Sequence, residues 1–335
     1  MTQIGIIGAG AWGTALAMVA RKAGCDVVLQ AHEQDVADAI NARHENTVFL
    51  PGVNLDSAIR ATTDAAEAAQ ADAVLLVMPA QFLRSVTAGL KGAWRSGTPA
   101  VICAKGLEQN SSALLSEVLA ETLPGVETAV LSGPTFAIEV ARGLPTGVTL
   151  ACADHAVGTK LSDALGTHTF RVYRSDDIVG AQLGGAVKNV LAIACGIVEG
   201  RKLGDNARAA LITRGVAEIA RLGVAKGAHP ETLMGLSGLG DLTLTCNAMQ
   251  SRNFSLGVAL GEGKTLEQVL GQRKSVTEGV YTASSVTQLA AKLGVDMPIC
   301  LAVDAVLNHG AGIDATIEGL LSRPTGDEDP LARSA

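Results

Sequence analysis

At 335 residues the chain is longer than one hydrophobic core usually serves, so two domains are expected. Hydrophobic residues make up 48% and charged residues 18%, which excludes an intrinsically disordered chain, and with only 3% aromatics the core must be built from Ala, Val, Leu and Ile. The net charge of −7, with no block of Lys and Arg, excludes a nucleic-acid surface of the usual basic kind; an anionic ligand would need the few cations gathered at one place.

Met1-Thr2-Gln3 runs straight into a strand, without the basic and then apolar stretches of a secretion signal. Gln3 to Ile7 is a short apolar run that stops at glycine, and Ala11 to Ala23 follows with helical periodicity. Asp26 to Leu29, Ala73 to Val77, Pro99 to Cys103, Thr128 to Leu131, Gly147 to Cys152 and Thr169 to Tyr173 read as further strands, with helical stretches between most of them. These runs are apolar on both faces, as the strands of a parallel sheet covered by helices are. The pattern changes near Ser175. From Asp177 onward no strand is evident, while Gly184 to Glu199, Ala207 to Leu222, Thr265 to Leu270, Thr282 to Leu293 and Pro298 to Leu307 read as helices. The expected architecture is an α/β doubly wound, mostly parallel N-terminal domain over residues 1–175, an all-α domain over 176–322 and a frayed polar tail over 323–335. No uninterrupted apolar run is long enough to span a bilayer. The cysteines at 25, 103, 152, 195, 246 and 300 stand singly, mostly in apolar stretches, as buried thiols of a reduced cytoplasm do. Neither a metal-ligand spacing nor a Ser-His-Asp arrangement is visible.

The first strand ends in Gly8-Ala9-Gly10-Ala11-Trp12-Gly13, a GxGxxG between strand and helix. Gly8 permits the tight turn, Gly10 lets the backbone approach a pyrophosphate, and Gly13 lets the helix pack on the strand. The helix N-terminus offers free N–H groups to the same phosphate. These features predict a dinucleotide site. Its preference for NAD or NADP is left open by Gln30-Ala31-His32-Glu33: His32 would suit an adenosine ribose or its 2′-phosphate, Glu33 would suit NAD, and either is equally a solvated loop residue.

Three later places carry cations or carboxylates in unusual surroundings. Lys188 lies in the nearly all-apolar run Gly184 to Cys195, where an ammonium is costly unless paired or used. Burial would lower its pKa toward the range of an acid-base catalyst; snorkelling at the helix edge is the structural alternative. Asp241 follows the glycine-rich Gly235-Leu236-Ser237-Gly238-Leu239-Gly240, where it suits pairing with Lys188 or an N-cap. Ser251-Arg252-Asn253 offers a guanidinium suited to phosphate, or a helix N-cap with a surface arginine.

The GxGxWG loop, Ala104-Lys105-Gly106-Leu107-Glu108, Leu131-Ser132-Gly133-Pro134-Thr135-Phe136-Ala137, Lys188-Asn189-Val190, and Gly238-Leu239-Gly240-Asp241-Leu242 with Ser251-Arg252-Asn253 occur in this order over nearly the whole chain. Together they resemble the bacterial NAD(P)-dependent glycerol-3-phosphate dehydrogenases. The resemblance implies reversible hydride transfer between dihydroxyacetone phosphate and sn-glycerol 3-phosphate, a Rossmann domain followed by a helical one, and a role in supplying the phospholipid backbone. It implies Lys188 and Asp241 as catalytic residues that also contact substrate, Asn189 as a helper, and Lys105, Gly133, Thr135, Ser251, Arg252 and Asn253 as substrate contacts. At the cofactor it places Gly8, Gly10, Ala11, Trp12, Gly13 and His32, with Lys105, Ala137, Arg252, Val276 and Glu278 contributing from later segments. One departure stands out: the family usually carries Ser where Ala11 stands, so a hydroxyl contact to the pyrophosphate is lost and backbone amides must compensate. A cytoplasmic homodimer without stable membrane association or nucleic acid is the expected setting. Two other functions share parts of the pattern. A 3-hydroxyacid dehydrogenase would act on a carboxylate instead of a phosphate ester, and a nucleotide-sensing module would keep the glycines yet need no proton donor.

Overall fold

The computed structural model describes residues 1–272 and 276–324, so most of the tail expected to fray, and Lys274 and Ser275 of the segment before Glu278, lie outside the described residues. The chain divides into two compact units. One holds Met1–Ala104 and Leu115–Ile178; the other holds Lys105–Leu114 and the chain from Val179. Continuity along the sequence put the segment Lys105–Leu114 with the sheet, whereas in three dimensions it clusters with the helices, Leu107 and Leu114 being fully buried in the helical core.

The first unit carries one sheet of β1 (Gln3–Ile7), β2 (Asp26–Gln30), β3 (Ile59–Thr62), β4 (Ala73–Leu76), β5 (Ala100–Ile102), β6 (Thr128–Ser132), β7 (Thr146–Cys152) and β8 (Phe170–Ser175). Their spatial order is β3-β2-β1-β4-β5-β6-β7-β8, parallel throughout except where β7 runs antiparallel to β6. β4 and β5 are buried at every position, as strands covered on both faces must be. The order reverses direction between β1 and β4, and the loop after β1 leaves the sheet at that switch point, where doubly wound folds bind ligands. β3 was not foreseen. Its sequence, Ile-Arg-Ala-Thr, is short and carries a charge, as suits an edge strand but gives little apolar signal.

Within the second unit the described residues from Val179 onward hold helices and no strand. Its axis is the helix Ile178–Gly200, which starts earlier than its apolar run suggested. By length and composition it is apolar enough to cross a membrane, yet 89% of that apolar window is buried inside the protein, which marks it as a core helix. Glycines let a second helix, Arg252–Gly261, lie against it backbone to backbone. A Cβ on Gly257 would stand 2.1 Å from the Ile193 carbonyl oxygen, and one on Gly196 would stand 2.1 Å from that of Phe254. Gly200 repeats the contact one turn on, 2.3 Å from the Val258 oxygen. The register of these two helices is therefore fixed by backbone shape, and with it the position of Arg252 relative to Lys188.

Gly257→Ala is expected to force the two helices apart, costing about 1–3 kcal/mol. A urea or thermal unfolding comparison checks this; unaltered stability would contradict the close packing.

Candidate active site

The first unit supplies a glycine loop that is open at Gly10. Gly8 takes φ +111°, with its Cα side against the Met78 backbone, so only glycine makes this turn without strain. A Cβ on Gly13 would lie 1.9 Å from the Gly8 carbonyl oxygen, whereas one on Gly10 would meet nothing within 4 Å. The loop is thus closed on its helix side and open at Gly10, where a pyrophosphate would approach. Gly10 is also the N-cap of the helix Ala11–Lys22 and has no side chain to occupy the first amides. These features fit a dinucleotide. The buried Trp12 Nε1 has no hydrogen-bond partner, and Ala11 leaves the helix N-terminus without a hydroxyl.

A residue the sequence reading passed over holds this loop. Asn46, fully buried, donates from Nδ2 to the Ala9 carbonyl at 2.8 Å and to Thr14 Oγ1 at 2.8 Å, while its Oδ1 accepts the Phe49 amide at 3.0 Å. With the Ala9 carbonyl turned to Asn46, the peptide is locked in one orientation. No local pattern marks Asn46, because the groups its Nδ2 holds lie 37 and 32 residues away. His32 and Glu33 are exposed just past β2, and Glu33 caps its helix without a side-chain bond. Gly133, at φ +152° against the Val148 backbone, and Thr135, whose hydroxyl donates to the Gly133 carbonyl at 3.2 Å, form the turn after β6, and Ala137 packs on the first core.

In the second unit three of the expected residues meet. The Asp241 carboxylate, fully buried, takes the Lys188 ammonium on Oδ1 at 2.6 Å and the Lys105 ammonium on Oδ2 at 2.6 Å. Lys188 also donates to Thr245 Oγ1 at 2.8 Å, and that hydroxyl donates onward to the Asp241 carbonyl at 2.6 Å. Thr245 was not foreseen, although its place four residues after Asp241 on the helix Asp241–Cys246 puts it on the same face. The two lysines and one aspartate leave a formal charge of +1 in largely buried surroundings, which suits an anionic ligand. Burial pushes the Lys188 pKa down to about 8; Asp241 opposes that fall and the Lys105 charge adds to it.

Local backbone shape delivers Asp241 to this place. Leu236–Gly240 is a π-helical turn immediately ahead of it, a widening common at functional sites. Gly184 lies one turn before Lys188 on the same helix face, and a Cβ there would be 2.5 Å from the Ser237 carbonyl oxygen. The missing side chain lets the π turn dock beside Lys188. Asp241 is not the N-cap of its helix, a role taken by Gly240. Its carboxylate is committed to the lysines.

Ser251 does cap its helix, accepting the Phe254 amide at 3.1 Å. Arg252, exposed at the first position of that helix, donates to the Val276 carbonyl at 2.9 Å. Asn253 is buried, with its amide on Asn189, and Asn189 donates to the Lys105 carbonyl at 3.1 Å. Glu278 opens the helix Glu278–Leu293.

Comparison with known proteins divides the chain by sequence, with Lys105–Leu114 inside the N-terminal match. Residues 3–158 match the family model for the NAD-dependent glycerol-3-phosphate dehydrogenase N-terminus, and residues 177–318 match that for its C-terminus. The chain is 60% identical over 322 residues to glycerol-3-phosphate dehydrogenase [NAD(P)+] of Parvibaculum lavamentivorans, covering 96% of this chain and 97% of that one. It is 62% identical over 323 residues to the enzyme of the same name from Rhodospirillum rubrum, covering 96% and 93%. Among solved structures, the glycerol-3-phosphate dehydrogenase of Coxiella burnetii superposes with a TM-score of 0.92 at 40% identity, covering 96% of this chain and 99% of that one.

Asn46→Ala is expected to free the Ala9 peptide and weaken dinucleotide binding by about tenfold. Fluorescence titration of the nucleotide checks it; unaltered affinity would contradict the clamp.

Proposed function

The chain belongs to the NAD-dependent glycerol-3-phosphate dehydrogenase family, and we propose that it catalyses the reversible NAD(P)-dependent reduction of dihydroxyacetone phosphate to sn-glycerol 3-phosphate. The observation that carries the reading is the Asp241 carboxylate shared between the Lys188 and Lys105 ammonium groups.

The nicotinamide supplies the hydride when bound. Held by the Gly8–Gly13 loop, the nucleotide would rest its pyrophosphate at Gly10 and on the first amides of the Ala11–Lys22 helix. As the substrate carbonyl carbon gains the hydride, its oxygen gains negative charge. Lys188 Nζ, fixed by Asp241 and Thr245, donates a proton to that oxygen and is left as a neutral amine. A lysine of ordinary pKa holds its proton too tightly for this task near neutrality; burial brings Lys188 to about 8. In the oxidative direction the neutral amine takes the hydroxyl proton back. Lys105 holds the substrate from the other carboxylate oxygen and keeps the pocket positive. Arg252 grips the phosphate, for which a planar guanidinium offers two parallel donors. Gly133, Thr135, Ser251 and Asn253 complete the proposed substrate contacts. Ala137, Val276 and Glu278, with His32 beside the adenosine ribose, complete those to the nucleotide. The product is the glycerol phosphate backbone of phospholipids. The proposed setting is the cytoplasm, to which six buried free cysteines suit.

Purified protein should oxidise NADH or NADPH when given dihydroxyacetone phosphate and not when given a 3-oxoacid; the reverse preference would refute the assignment. Lys188→Ala should abolish turnover in both directions while nucleotide still binds. In the native enzyme, reduction requires the ammonium, so its kcat/KM should fall as pH rises through about 8, while the kcat/KM for oxidation should rise through the same value. pH–rate profiles in both directions test the sign, and a reductive limb that rises through this range would contradict it.

A further inference from the structure

Asn253 and Asn189 form a directed chain of hydrogen bonds that neither the lysine cluster nor the phosphate grip requires by itself. The Gly279 amide, which can only donate, gives its proton to Asn253 Oδ1 at 3.0 Å. Asn253 Nδ2 must then face Asn189, and it donates to Asn189 Oδ1 at 2.8 Å. Asn189 Nδ2 in turn donates to the Lys105 carbonyl at 3.1 Å, a group that can only accept. Both ends demand the same orientation of the two carboxamides, so the chain has one direction and no alternative flip. Both side chains are buried, where an unpaired amide would be costly.

The chain also joins elements that the sequence separates widely. Gly279 is the second residue of the helix Glu278–Leu293, whose N-cap residue Thr277 makes no side-chain cap bond, so Asn253 caps that helix from another one. The neighbouring Arg252 guanidinium holds the Val276 carbonyl at 2.9 Å. Two consecutive residues thus grip both ends of the 276–279 segment. No larger residue fits at the junction: a Cβ on Gly279 would lie 2.7 Å from Asn253 Oδ1 and 2.8 Å from the Asn189 carbonyl oxygen.

We propose that the Asn253 carboxamide is a positioning residue, which ties the Arg252 and 276–279 segment through Asn189 to the Lys105 backbone and so sets the spacing between the phosphate grip and the lysine pair. The relay engages one Nδ2 hydrogen and one Oδ1 lone pair of Asn253. This inference rests on the proposed reduction of a phosphorylated triose, since the spacing it sets is that substrate's.

The test uses the full-length protein with Asn253→Asp, Asn253→Ala, Asn189→Ala and the double alanine variant. Asn253→Asp is isosteric and keeps the acceptor for Gly279, but it opposes an oxygen to Asn189 Oδ1. KM for dihydroxyacetone phosphate should rise by about tenfold or more in each single variant, with kcat altered less than about threefold and the pH midpoint of kcat/KM unmoved. The double variant should be no worse than the poorer single one, because both break the same chain. Unchanged KM in Asn253→Asp, a loss confined to kcat, or effects that add fully in the double variant would each overturn the proposal. If the native protein does not turn over dihydroxyacetone phosphate, the functional reading fails on its own. The relay is then decided by hydrogen exchange at the Gly279 amide, which should quicken about tenfold in Asn253→Ala and measurably in Asn189→Ala. Exchange at the native rate in both would overturn it.

Discussion

Everything in the helical unit converges on one fully buried carboxylate. Asp241 carries no solvent to soften its charge, and it is tolerable there only because each oxygen meets a lysine ammonium at 2.6 Å. The constraint works in both directions. Without Asp241, two ammonium groups would share largely buried surroundings; without the lysines, a bare carboxylate would sit in a hydrophobic core. The group of three is self-supporting and leaves a single excess positive charge. Such an arrangement adds little to stability beyond offsetting its own desolvation, so its value lies in the chemistry it makes available.

Backbone shape, more than side-chain packing, builds that meeting point. Glycines on the helix Ile178–Gly200 admit the π turn ahead of Asp241 on one side and the Arg252–Gly261 helix further along. Each substitutes a backbone contact for a side-chain one, and backbone contacts have few alternative registers. The same logic runs through the nucleotide loop, where Gly8 and Gly13 close the turn and Asn46 locks the Ala9 peptide. A helix that by composition would suit a membrane becomes instead the axis of a buried helical core.

Much of this was legible in the sequence. The alternation of doubly apolar strands with helices gave the sheet, the position of GxGxxG gave the dinucleotide loop, and a lysine stranded in an apolar helix gave the partner of Asp241. What escaped was non-local. β3 has too few apolar residues to register, since an edge strand buries only one side. The antiparallel turn to β7 leaves no mark, because strand direction depends on the connection and not on composition. Asp241 also suits a helix cap in the sequence, and only the fold shows that Gly240 takes that place. The segment Lys105–Leu114 follows a strand in sequence yet packs in the helical core. Thr245 and Asn46 are ordinary residues until partners tens of residues away are brought to them, and Asn189 and Asn253, although singled out in the sequence, show their mutual hydrogen bond only in the fold.

The central claim is that burial and a shared carboxylate together set the acidity of one ammonium. The direct measurement is the titration of Lys188 itself, by lysine-selective isotope labelling and NMR on the native protein and on Asp241→Asn. The account predicts a midpoint near 8 in the native protein, and a lower one once the carboxylate charge that favours the ammonium is gone. A midpoint at the ordinary lysine value of about 10.4, unmoved by the substitution, would contradict it.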